Sequence, residues 1–180
     1  RDAAEQGQEQ ADGLPVYYTE WNACATFGAR GNDTRKVAAY AVRAALRAED
    51  FIDGSSIWCF SDIFEELHPF PEEFHGGYGL VTQHGIAKPL FHALRLLGQA
   101  GDKRLELPGA LDGEVSVAAF RDAADTQLTV LATKQNLHHF AGQSIPATPV
   151  EIEVELDAKP QSVQLCRIEE EHGNPLKCWQ

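Results

Sequence analysis

A carboxylate, an aromatic ring and three further acids, divided between two short stretches, are the residues with types and spacing suited to chemistry. The first stretch is Leu14-Pro15-Val16-Tyr17-Tyr18-Thr19-Glu20-Trp21-Asn22. Val16, Tyr17, Tyr18 and Thr19 favour a pleated backbone, and Pro15 can open such a strand but not sit centrally in it. Glu20 then stands at the strand's C-terminal end, which is the catalytic face in a (β/α) barrel. Taken alone, it reads equally as an ordinary solvated carboxylate. The second stretch changes that balance. A strand over Ser55–Phe60 carries Trp58, and Asp62, Glu65 and Glu66 follow within one loop. If both strands lie in one parallel barrel sheet, Glu20 and this group project from the same rim. A flat ring among carboxylates suits a pyranose, because the sugar's C–H faces stack on the ring while its hydroxyls donate to the acids. A single Trp at a strand end is more often core, but three acids beside it argue against that.

The elements between these stretches fit such a rim. Ala23–Asn32 is a loop broken by Gly28 and Gly31, and Asp33 or Thr34 is a good N-cap for a helix over Thr34–Ala48. That helix carries Val37, Tyr40, Ala41, Ala44 and Ala45 on one stripe of small residues, as a helix lying close on a sheet requires, with Arg43 and Arg47 away from it. Strand, helix and strand at this spacing imply a parallel sheet. The irregular stretch from Ser61 to Lys88 is long enough to be functional. Pro89, then Leu90, Phe91, Leu94 and Leu97, opens another helix. Residues 1–13 read as the tail of a helix or a disordered end.

After Gly98 and Gly101 the pattern turns to short strands, at about 103–107, 114–121, 127–134, 150–156 and 162–168. Their period-two alternation (Val115, Val117, Ala119; Leu128, Val130, Ala132; Ile152, Val154, Leu156) implies an antiparallel sandwich or a small sheet. The chain therefore divides into an α/β part, 1–100, and an all-β part, 101–180.

Composition narrows the partners. Fifteen basic against twenty-seven acidic residues give a formal charge of −12. Phosphate contacts need clustered Lys and Arg, so neither nucleic acid nor an anionic membrane surface is expected as a partner, and no stretch is apolar enough to span a bilayer. Cys24, Cys59, Cys166 and Cys178 lack metal-ligand spacing and read as reduced structural thiols; neither a metal nor another cofactor is expected. Cys24, close to Glu20, has no His partner and reads as packing. His68 is read as a loop residue, His84 and His92 as surface or packing residues, and His138-His139 as a turn pair. Of Tyr17 and Tyr18, both read as core, one could instead face the pocket.

Five motifs then fall in order: YYTEWN, the Asp33-Thr34 pair before AAY, WCFSDIFEE, FHGGYGL and GIAKP. Together they resemble the C-terminal part of glycoside hydrolase family 39, the β-xylosidase and α-L-iduronidase family, with the β-xylosidase branch the closer. The tail RIEEEHGNPLKCW resembles the end of that family's β-sandwich region, so the resemblance runs from about Leu14 to Trp179. It implies strands 7 and 8 of a (β/α)8 barrel followed by a β-sandwich, and hydrolysis with retention of anomeric configuration. Glu20, ending strand 7, matches the catalytic nucleophile. Trp58, ending strand 8, matches a substrate-stacking aromatic, with a cis peptide typically following it. Glu65 and Glu66 match acids near the sugar hydroxyls, Glu66 being preferred, while Asp62, His75, Gly76 and Gly77 shape the loop.

Retaining chemistry needs a second acid about 5 Å from the nucleophile, to protonate the leaving oxygen and later activate water. The family's acid/base lies in an Asn-Glu-Pro motif after strand 4, and no such motif occurs in these 180 residues. The chain is thus expected to be the C-terminal part of a larger enzyme, without its N-terminal barrel half and inactive alone, that releases xylose from xylo-oligosaccharides. A family 39 uronidase or arabinosidase is the nearest alternative enzyme; a uronate would call for a basic residue, and this rim is acidic. A non-catalytic sugar-binding or structural fragment is the alternative outside enzymes.

Overall fold

The computed structural model describes residues 2–64, 70–135 and 149–179. The α/β part begins with helix α1 (Asp2–Gln10), strand β1 (Tyr17–Trp21), helix α2 (Arg35–Ala48) and strand β2 (Gly54–Ile57). A 3-10 turn, Arg30–Asp33, leads into α2. Strands β1 and β2 pair in parallel, as the strand–helix–strand spacing requires. Helix α3 (Pro89–Gly98) packs on α2, and β3 (Lys103–Leu105), β4 (Val115–Arg121) and β5 (Leu128–Lys134) form one antiparallel sheet. A short helix, α4 (Pro175–Trp179), closes the described chain.

Helix α2 starts where its sequence supplies a cap. The Thr34 hydroxyl accepts from the Lys36 amide at 3.3 Å and donates to the Gly31 carbonyl at 2.7 Å. Asp33, the other capping candidate, is spent elsewhere. The helix is then covered on two sides. Val37 and Ala41 pack with Leu90 against Trp21 and Ile57 of the parallel pair. Ala38, Val42 and Leu46 pack with Ala93, Ala118 and Phe120, which brings in the antiparallel sheet. Burying a Val or Leu side chain contributes about 1.5–3 kcal/mol, so both faces of α2 are substantially stabilising.

Arg43, away from the apolar stripe, is nevertheless buried, and its guanidinium donates to the Leu111 carbonyl at 3.1 Å. Its stem lies along apolar surface while its head finds an acceptor.

Two more expectations change. Strand β2 ends at Ile57, short of the expected Phe60, as the chain leaves the sheet at Trp58; the Trp58–Cys59 peptide is cis. No strand forms over 150–156 or 162–168: Val150, Ile152, Val154, Leu156, Val163 and Leu165 are exposed. An alternating pattern makes a strand only where a neighbouring ladder takes up its amides and carbonyls. Among the described residues the expected sandwich is therefore one three-stranded sheet. The pair His138-His139 lies outside them.

Candidate active site

The register of the parallel pair contains an irregularity at the residue that matters. Tyr17 opposes Gly54, Tyr18 opposes Ser55, and Trp21 opposes Ile57. Three steps along β1 thus match two along β2, so Thr19 and Glu20 together oppose Ser56. An extra residue of this kind is a β-bulge, which re-aims the side chains around it. In an unbroken strand Glu20 would share a face with Tyr18, two residues before it. Here Tyr18 turns to the helices, its hydroxyl donating to the Ala3 carbonyl at 2.8 Å, and Trp21 packs on α2, whereas Thr19 and Glu20 are both exposed. Ile57, the last residue of β2, packs with Trp21 against α2, and Trp58 follows it. Glu20 is thus exposed at the bulge on β1, and Trp58 stands open just past the end of the neighbouring β2.

Trp58 is 39% exposed, too open for core and open enough to stack on a ligand. Its amide donates to the Trp21 carbonyl at 2.9 Å, and its own carbonyl accepts from the Asn22 side-chain amide. The Asn22 amide also reaches the Tyr78 carbonyl at 3.5 Å, and its oxygen accepts from the Ala23 amide at 2.7 Å. Behind the indole, Phe64 meets Trp58 edge-on at 5.9 Å, and Phe27 contacts Phe64, Phe70, His75 and Tyr78. Tyr17, by contrast, is exposed rather than core, its ring lying against Gly54 at the start of the strand pair.

Below the rim lies a charged cluster that the sequence did not single out. The Lys88 side chain is fully buried, with Nζ 2.6 Å from Asp33 Oδ1, 2.6 Å from Asp62 Oδ2 and 3.2 Å from the Gly77 carbonyl. Asp33 also accepts from the Gly76 amide at 2.6 Å, and Asp62 from the Gly79 amide at 2.7 Å. Burial pushes the Asp33 carboxyl above its ordinary value, against the opposing pull of Lys88 and Gly76. His75, 3.9 Å from Asp62, stacks on Phe70. So Asp62, His75, Gly76 and Gly77 do shape the loop, and a lysine just before the helix-opening Pro89 joins them. A lone Lys bracketed by apolar residues and a helical Pro is the signal that could have found it.

His84 is exposed but not idle: it binds the buried Glu73. Burial acts to raise the Glu73 carboxyl, and hydrogen bonds from Thr82 and His84 more than offset this, holding it below its ordinary value. His92 is half-buried, and burial lowers it, aided by Arg95. The Cys24 sulfur accepts from the Thr26 amide. Glu65, Glu66 and His68 lie outside the described residues. A cavity of about 520 Å³ opens on the opposite side of the sheet, between α1, β1 and α2, and neither Glu20 nor Trp58 lines it.

The profile described as Glycosyl hydrolases family 39 matches residues 3–180. The chain belongs to that family. A β-xylosidase of Geobacillus stearothermophilus is 31% identical over 166 residues, covering 92% of this chain and 31% of the relative. A β-xylosidase of Caldicellulosiruptor saccharolyticus is 30% identical over 180 residues, covering 95% and 34%. The solved monomeric β-xylosidase from Caulobacter crescentus CB15 superposes with a TM-score of 0.66 at 30% identity, over 83% of this chain and 31% of that one. This family 39 chain spans about a third of the length of the curated relatives it matches.

Proposed function

We propose that this chain is the nucleophile-bearing, C-terminal part of a retaining, β-xylosidase-like glycoside hydrolase that removes terminal xylose from xylo-oligosaccharides. In this reading residues 1–100 carry strands 7 and 8 of a (β/α)8 barrel, with β1 as strand 7 and β2 as strand 8, and residues 101–180 belong to a β-sandwich accessory domain. The single observation that best supports it is the bulge at Thr19-Glu20, which leaves Glu20 exposed on the strand paired with the one that ends just before the open Trp58.

Glu20 then attacks the anomeric carbon of a sugar lying on Trp58, forming a glycosyl ester as the aglycone departs. The departing oxygen needs a proton from a second carboxyl. Glu73 does not supply it, being buried and bound to Thr82 and His84. Asp62 does not either, since it faces Lys88 below the rim. In this reading the acid/base is the one that the family resemblance puts in an Asn-Glu-Pro motif, which these 180 residues do not contain. By the family resemblance Glu65 and Glu66, Glu66 being preferred, are the acids proposed for the sugar hydroxyls.

The test is Glu20→Ala in a complete enzyme carrying these residues. Turnover of an activated aryl xyloside is expected to be lost and partly restored by azide, which replaces the missing nucleophile. Undiminished turnover would remove Glu20 from the mechanism. A non-catalytic sugar-binding role gains from the lack of an Asn-Glu-Pro motif. Xylose binding that persists in an assembly without turnover would favour it.

A further inference from the structure

We infer that Lys88 is the positioning residue for the sugar-stacking ring of Trp58, acting through Asp62 and His75; this rests on the reading of Trp58 just given. Three oxygens surround the Lys88 ammonium, matching its three hydrogens in number, and they come from three parts of the rim. Asp33 belongs to the turn before α2, Asp62 to the exit from β2, and Gly77 to the following loop. One ammonium therefore fixes all three relative to one another.

Two contact routes run from it to the indole. The first is backbone: Asp62 is held at both its amide, which donates to Val81, and its carboxylate, which accepts from Gly79. The same two segments exchange Leu80 to Cys59 and Val81 to Phe60 hydrogen bonds, so the chain leaving Trp58 is clamped residue by residue. The second is aromatic: His75, beside Asp62, contacts Phe27, Phe27 contacts Phe64, and Phe64 meets Trp58. Neither route touches Glu20, which projects from β1. Loss of Lys88 should thus loosen the stacking platform while leaving the nucleophile strand in place.

The predicted consequence is a split between binding and chemistry. In a complete enzyme carrying these residues, Lys88→Met and Asp62→Asn are compared with Trp58→Ala, each rate being normalised to competent sites counted with a slow 2-fluoro xyloside. Each is expected to raise KM for an aryl xyloside about tenfold with kcat changed less, the loss of one aromatic contact. In the Trp58→Ala background the Lys88 and Asp62 substitutions should raise KM no further, because the group they position is gone. Asp62→Asn is nearly isosteric, so it decides the matter if Lys88→Met does not fold. Independent, multiplicative effects on KM would overturn the inference, as would unchanged KM in Asp62→Asn and Lys88→Met while Trp58→Ala raises it. Unchanged KM in Trp58→Ala itself would instead remove the stacking role of Trp58, and this inference with it.

Discussion

Asn22 and Trp58 are joined across the strand pair: the amide of one donates to the main-chain carbonyl of the other, two residues beyond Glu20 on one strand and just past Ile57 on its neighbour. The bond ties the carboxylate's strand to the ring's strand at the rim, where regular pairing has stopped. Asn22→Ala is expected to lower the chain's stability by about 1 kcal/mol, the usual net value of such a bond. Asn22→Asp should cost at least as much, because a carboxylate oxygen would then face the Trp58 carbonyl. Urea midpoints of both variants measure this, and midpoints equal to the parent's would contradict it.

Lys88 neutralises buried carboxylates, so its removal should be among the costliest single changes. Lys88→Met leaves Asp33 and Asp62 without their cation, and breaking a buried pair this way costs about 3–5 kcal/mol. Adding Asp33→Asn and Asp62→Asn to Lys88→Met should recover much of the loss, since the uncompensated charge then disappears. Unfolding curves of the single and triple variants decide between charge and mere packing: a triple variant no more stable than the single one points to packing.

Glu73 should contribute an acid-sensitive part of the stability. Its folded carboxyl lies below the ordinary value of 4.5, through the Thr82 and His84 hydrogen bonds that outweigh burial. A depressed folded value means the contribution is full above the unfolded value and is lost as pH falls through the folded one. Thermal midpoints should therefore drop on acidification below pH 4.5, and Glu73→Gln should flatten that part of the curve while lowering stability at neutral pH. A curve of the same shape in both proteins would exclude Glu73 as the source.

Gly79 and Gly98 offer a matched pair. A Cβ at Gly79 would stand 2.3 Å from the Asp62 amide nitrogen and 2.6 Å from the Val81 carbonyl, both rigid backbone. Gly79→Ala should destabilise by about 1–3 kcal/mol through overpacking alone. Gly98 ends α3 with nothing within 4 Å of such an atom. Gly98→Ala should be neutral or stabilise by up to about 1 kcal/mol, chiefly by restricting the unfolded chain. Equal effects at the two sites would mean that the close approach at Gly79 does not hold in solution.

Local chemistry was legible from the chain alone. β-formers before Glu20, a hydroxyl before Arg35, small residues on α2 and Pro89 at a first turn each act through neighbours a few residues away, and their elements stand within a residue or two of expectation. The spacing of strand, helix and strand fixed the parallel pairing, because a short crossover permits little else. The motifs in order identified the family, which the match over residues 3–180 bears out.

What the chain alone did not disclose depends on partners distant in sequence. The burial of Arg43 was not legible because its acceptor, the Leu111 carbonyl, and the sheet residues Ala118 and Phe120 that pack on α2 come from remote sequence. The alternating residues of 150–156 stay out of any ladder because alternation states a preference and not a neighbour. Lys88 looked unremarkable because its three oxygens come from positions 33, 62 and 77. The bulge at Thr19-Glu20 exists only in the register between two strands. Residue types determined which groups could do the chemistry; the packing of remote segments decided where those groups point and what holds them there.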